Sequence, residues 1–207
     1  AGNALVIDKW FAIQASALRG DVLDAVEALA KHEDFTMKNP NRLRALYMTM
    51  LAAAVASGAL INAFVQNDFT INYVANHSNS VMDRAFVWVA FYSGNEGSLL
   101  YIVFALTIMS VLAIWFAPRH LAKSMPWTIA ILAGVQLFYF FVLTFFASPF
   151  QLLDSAPADG RGINPLLTHP GMFSHPPMLM AGLIAITIPF SYASGALIAR
   201  NFGDEWV

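Results

Sequence analysis

Charged residues and long apolar runs divide the chain into two regimes. Residues 1–44 hold about half of all the charges, Asp21, Asp24, Glu27, Lys31, Arg42 and Arg44 among them. Within them, WFAIQASAL and DVLDAVEALAKH repeat apolar residues at three- and four-residue spacings, the period of amphipathic helices. Asp21 suits the first helix turn, and Lys31 with His32 suits a C-terminus. The pattern predicts two short helices and then the loop KNPNR. Beyond Arg44, uncharged runs cover 45–67, 97–118, 124–153 and 176–199. Crossing the hydrocarbon core takes about 20 apolar residues, so each run predicts a membrane span, and none contains an ionisable side chain. RAFVWVAFY, at 84–92, is too short to span. It predicts an interfacial helix with Trp88 and Tyr92 at headgroup depth. The expected fold class is all-α: a soluble helical segment over 1–46 and a polytopic membrane domain over 47–207.

Composition agrees with a membrane protein. Hydrophobic residues make up 58%, charged residues 12%, and the mean hydropathy is +0.59. With a net charge of −2 and no cluster of Lys and Arg, nothing suggests a nucleic-acid partner. There are no cysteines, which excludes disulfides, thiolate metal sites, a thiol nucleophile and the C-x-x-C-H haem attachment site. No charged n-region with a small-residue cleavage site precedes the first run, which reads as a retained span. Lys38, Arg42, Arg44, Arg119, Lys123 and Arg200 lie before the first span, in the loop 118–125 and after the last span; the loops 68–96 and 154–175 carry only Arg84 and Arg161. The positive-inside rule then predicts cytoplasmic termini and two long outer loops.

Those outer loops hold the distinctive residues. NDF, YVANHSN, NEGSLL, SPF, DGRGINPLL and HPPML follow one another in order. Over about residues 56–207 this series resembles the cytochrome c-type biogenesis haem lyases of the CcmF/NrfE type. The resemblance implies a protein of the bacterial inner membrane that takes haem from a haem chaperone and, with other cytochrome c maturation subunits, joins it to apocytochrome c. Family members hold haem with periplasmic histidines flanking a tryptophan-rich loop, and a second haem with histidines inside the membrane. His175 matches one periplasmic histidine and becomes the expected axial ligand to haem iron. The five tryptophans are scattered and no other histidine matches, so complete lyase activity is not expected from these residues.

Each candidate also has a plainer reading. His175 could simply open a stiff helix, since proline fits the first turn. His169, before a proline in the same loop, could assist haem binding or only shape the turn. Arg161 could pair a haem propionate, because a guanidinium matches a carboxylate bidentately, or it could pair Asp154 or Asp159. His77 suits a structural hydrogen bond, His120 a solvated loop and Glu96 the capping of a helix. The aromatic stripe FYFFVLTFF, at 138–146, suits lipid contact or helix packing. A structural or transporter-like membrane subunit remains the alternative function.

The first segment resembles something else. ALVIDKWFAIQA and AVEALAKHEDFTMKNPNRLRAL, over about residues 4–46, look like part of the C-terminal helical domain of bacterial aminopeptidase N, an M1-family zinc peptidase. The zinc motif H-E-x-x-H is absent, because His32-Glu33 continues to Thr36 where a second histidine would stand. No zinc and no peptidase activity are expected, and the whole reads as a mosaic of two unrelated pieces joined near residues 46–56, which a gene fusion, an engineered join or a gene-assembly error would each give.

Overall fold

The computed structural model describes residues 44–201, so the two expected helices before residue 44 lie outside the described residues. Seven α-helices follow: α1 (Arg44–Gln66), α2 (Asn72–His77), α3 (Val87–Tyr92), α4 (Asn95–Trp115), α5 (Met125–Phe145), α6 (His175–Ala185) and α7 (Thr187–Ile198). Among the described residues no strand forms, and a single antiparallel bridge joins Ile71 to Leu152. Four stretches are long and apolar enough to cross a membrane: α1, α4, α5 and the 170–198 run containing α6 and α7. The 23 residues of α1 rise about 34 Å at 1.5 Å each, enough for a hydrocarbon core.

The four spans match the four apolar runs, with two differences: the third helix ends at Phe145, eight residues before its run does, and the last run is interrupted. The last run is two helices, broken at Ile186. Pro189 is the cause: it has no N–H for the Ala185 carbonyl four residues back, and its ring crowds that carbonyl. Exposed apolar residues include Leu51 and Val55 on α1 and Leu137, Phe138, Phe141 and Phe145 on α5. The aromatic stripe of α5 is thus largely exposed, and its mostly apolar side chains suit contact with lipid.

α4 is the hub, packing against α1, α3, α5 and α6. Two buried clusters lie along it. One, toward the long loops, gathers Leu60, Phe64, Tyr73, Phe91, Leu100 and Val103; the other, toward the short 117–124 loop, gathers Leu46, Val111, Ile114, Met125 and Leu132. α5 and α7 meet where Ser191 and Gly195 are both buried, and a Cβ on Gly195 would run into Thr128 and the Ser124 carbonyl. Small residues four apart let two helix backbones approach closely in lipid.

The expected interfacial helix is largely buried inside the protein. In α3, Val87, Val89, Ala90, Phe91 and Tyr92 are buried, and only Trp88 is partly open, at 36%. The six residues are wedged between α1 and α4. An apolar hexamer is equally suited to a core. What holds it there is that the polar tips of Trp88 and Tyr92 find carbonyls in the 172–173 turn.

Candidate functional site

The ordered motifs converge at the long-loop end. Asn67, in NDF, adopts φ 53 and closes α1: its N–H bonds to the Phe64 carbonyl at 3.2 Å, while the Asp68 N–H bonds to that of Ala63 at 2.9 Å. This is the Schellman arrangement, which needs a left-handed residue, a conformation asparagine tolerates. The chain then pairs with the segment after α5: Asn72 N–H donates to the Gln151 carbonyl at 2.8 Å, and Leu153 N–H to that of Thr70 at 2.9 Å. The turn DGRG docks on YVANHSN. Arg161 N–H donates to the Ala75 carbonyl at 2.7 Å and Gly162 N–H to that of Ser78 at 3.0 Å, while the Asp159 carboxylate accepts from both the N–H and the hydroxyl of Ser80 at 2.8 Å. Gly162 has φ +84, and a Cβ on Gly160 would strike the Ser78 carbonyl. Both glycines are therefore needed for this docking.

NEGSLL joins the same cap through Tyr73. The Tyr73 hydroxyl accepts from the Gly94 N–H at 2.9 Å and donates toward the Phe91 carbonyl at 3.2 Å. Burial, only partly offset by the Gly94 N–H, pushes its pKa up to about 12. His77 lies over the Tyr73 ring with centroids 4.3 Å apart, and its Nδ1 donates to the Tyr73 carbonyl at 2.8 Å. In the neutral ring this leaves Nε2 without a proton. That nitrogen faces Gly94, where a Cβ would come within 2.6 Å of it. His77 thus makes a structural hydrogen bond at the end of α2. Glu96 sits in the first turn of α4 and forms no N-cap hydrogen bond; it complements the helix dipole.

His175 is the first residue of α6, and its side chain is exposed. Among the described residues its ring has no hydrogen-bond partner. Three side chains grip the backbone on either side of it. Trp88 Nε1 donates to the Phe173 carbonyl at 3.2 Å, the Tyr92 hydroxyl donates to that of Met172, and the Tyr101 hydroxyl donates to that of Pro177 at 3.0 Å. The rings of Trp88, Tyr92 and Tyr101 also contact one another, with centroids 5.6 to 6.3 Å apart. Burial, and secondarily the Tyr101 hydroxyl, raises the Tyr92 pKa, which keeps that hydroxyl a donor.

The other two expected haem-site residues are placed differently. His169 is exposed and caps the 170–173 turn: its Nδ1 accepts from the Gly171 N–H at 3.0 Å. A backbone N–H can only donate, so the neutral ring carries its proton on Nε2, which is then no ligand for iron while this bond holds. The Arg161 side chain is exposed, and among the described residues it pairs with neither Asp154 nor Asp159. Asp159 is committed to Ser80 and to the Gly160 N–H. No group of three His, Cys, Asp or Glu side chains gathers among the described residues. Haem asks for less, since one or two axial nitrogens suffice. His175 fits that demand as one ligand, with an open ring and no competing bond.

The family described as "Cytochrome C assembly protein" matches residues 92–204, more than half of the chain. The chain belongs to that family. Among similar proteins, the "Cytochrome c-type biogenesis protein NrfE" of Haemophilus influenzae is 32% identical over 165 residues, covering 78% of this chain and 26% of the relative. The "Cytochrome c-type biogenesis protein CcmF" of Escherichia coli K12 is 32% identical, covering 84% of this chain and 27% of the relative. A solved structure, "Cytochrome c Heme Lyase CcmF", superposes with a TM-score of 0.64 and 25% identity, covering 98% of this chain and 29% of that one. This cytochrome c assembly chain thus spans about a quarter of the length of the curated relatives it matches.

A second family, described as "Domain of unknown function (DUF3458_C) ARM repeats", matches residues 1–57. Its description names no peptidase, so it matches the expected aminopeptidase resemblance only weakly. The match runs into α1, some ten residues past the boundary expected at 46.

Sequence reasoning missed the Trp88–Tyr92–Tyr101 grip. A usable signal existed: Tyr and Trp in a buried segment must find acceptors for their O–H and N–H groups.

Proposed function

We propose that this chain is a haem-handling module of cytochrome c maturation, working at the periplasmic face of the bacterial inner membrane with both termini cytoplasmic. The supporting observation is His175: an exposed imidazole without a hydrogen-bond partner among the described residues, held at a His-Pro-Pro helix start, in a chain of the cytochrome c assembly family. In this reading His175 supplies one axial nitrogen to haem iron, and the apolar start of α6 shields one porphyrin face. Arg161, free of Asp159, is the propionate partner. His169 contributes through its Nε2–H as a donor and is not an iron ligand. A haem chaperone delivers the haem, apocytochrome c receives it, and other maturation subunits supply the second axial ligand. In this reading residues 1–46 are a separate piece of aminopeptidase-like sequence to which no peptidase activity is assigned.

The test uses detergent-purified chain co-expressed with a haem chaperone, comparing Soret absorbance in the parent, His175→Ala and His169→Ala. Loss in His175→Ala with retention in His169→Ala is expected; equal absorbance in all three would reject the assignment. Orientation is checked with an impermeant thiol reagent on intact cells, which the absence of native cysteines makes clean. A cysteine at Ser155 should label and one at His120 should not. The reverse pattern would place His175 in the cytoplasm.

A further inference from the structure

The His-Pro-Pro sequence does more than stiffen a helix start. The first α-helical bond of α6 runs from the Met178 N–H to the Ser174 carbonyl, at 3.0 Å. Stepping this register back by one and two residues would pair residue 177 with the Phe173 carbonyl and residue 176 with the Met172 carbonyl. Both positions are proline and have no N–H to give. The two carbonyls so left open are the ones that receive Trp88 Nε1 and the Tyr92 hydroxyl. Tyr101 holds the Pro177 carbonyl from the other side of His175.

We infer that Pro176 and Pro177 create two acceptors for Tyr92 and Trp88, and that this latch makes Trp88 and Tyr92 positioning residues for the His175 ring. The inference rests on the haem reading of His175. Two covalently neighbouring carbonyls fixed from α3, and a third from α4, leave the 172–177 backbone little freedom, so the His175 Cα–Cβ direction is set before any ligand arrives. A ligand nitrogen held in place loses less entropy on coordination than one on a mobile turn. Supporting partners of this kind typically affect metal affinity about 10- to 100-fold.

The experiment titrates hemin into the purified full chain in detergent, with a fixed concentration of imidazole as the second axial ligand. Tyr92→Phe and Trp88→Phe each remove a donor and keep an aromatic ring. Each is expected to weaken hemin binding about tenfold, and to have no effect in a His175→Ala background. Pro176→Ala restores an N–H to the Met172 carbonyl and should rescue Tyr92→Phe but not Trp88→Phe; Pro177→Ala should do the converse. If His175→Ala weakens binding while Tyr92→Phe and Trp88→Phe do not, the latch is wrong and the haem reading stands. If His175→Ala binds hemin like the parent, the haem reading falls and the positioning role falls with it. Rescue that ignores which proline is changed would also overturn the latch, since the pairing is its whole content.

Discussion

The Tyr73 hydroxyl accepts the Gly94 N–H at 2.9 Å across 21 residues of sequence, tying α2 to the residue that caps α4. The same hydroxyl donates toward the Phe91 carbonyl, so one oxygen links α2, α3 and the start of α4. Around it there is no spare room. A Cβ on Gly97 would run into both the Tyr73 hydroxyl and the Phe91 carbonyl oxygen. The two glycines of GNEG are there because Tyr73 and His77 press on them.

Tyr73→Phe should therefore lower the unfolding free energy by about 1–3 kcal/mol, the usual cost of stranding buried hydrogen-bonding groups. Gly97→Ala should cost more, because the obstructing Phe91 atom is backbone and cannot rotate away. Combining the two should not relieve the Gly97→Ala defect. Unfolding titrations in detergent check this; a Gly97→Ala chain as stable as the parent would contradict the packing.

Asp159 gives the cap a dependence on acid. Its carboxyl pKa is held below the ordinary 3.8, first by the Ser80 hydroxyl and then by the Ser80 and Gly160 N–H groups. A depressed folded-state pKa contributes stability above the unfolded value, which is lost as pH falls through the folded one. The contact should thus be constant from neutral pH down to about pH 5 and fail only below the ordinary carboxyl range. The protection of the Ser80 and Gly160 amides, taken relative to the intrinsic exchange rate at each pH, is expected to fall only at that acid end. A fall in protection near pH 6 would show that another group controls the docking.

The four spans were legible because an apolar run of this length has few uses outside a bilayer; three runs coincide with a helix or helix pair to within a few residues, while the third, 124–153, outlasts its helix by eight residues because 146–153 turn back toward Ile71. The break at Ile186 was legible too, in Pro189, although run length alone conceals it. The fate of 84–92 was not. Six apolar residues read the same on a lipid surface and in a core, and the deciding contacts of Trp88 and Tyr92 lie 85 and 80 residues away. His175 was visible through its motif, while the tautomer of His169 depends on a Gly171 N–H whose direction only the folded turn defines. Gln136 was overlooked for a simpler reason: a search of the spans for ionisable groups passes over an amide.

Gln136 is fully buried in α5 and joins three spans. Its Nε2 donates to the Ser110 hydroxyl of α4 at 3.0 Å, and its Oε1 accepts from the Thr49 hydroxyl of α1 at 2.6 Å. Such a network invites the expectation of a large effect on removal, yet both partners have a second option. Ser110 already donates to the Leu106 carbonyl at 2.7 Å, and Thr49 lies 2.9 Å from the Leu46 carbonyl. Thr49 has one proton, so losing Gln136 lets it settle on its own helix, a bond that Thr and Ser commonly make in apolar helices. Interhelical side-chain bonds in membranes average about 0.6 kcal/mol by double-mutant cycles. Gln136→Leu, close in volume and with nothing left unpaired, should therefore change stability by less than about 1 kcal/mol, whereas Gln136→Ala should cost about 2 kcal/mol or more through the cavity it opens. Unfolding of both variants in mixed detergent measures the difference. A loss above about 2 kcal/mol in Gln136→Leu would mean that Ser110 and Thr49 do not fall back on their own carbonyls, and that the amide is the true link between α1, α4 and α5.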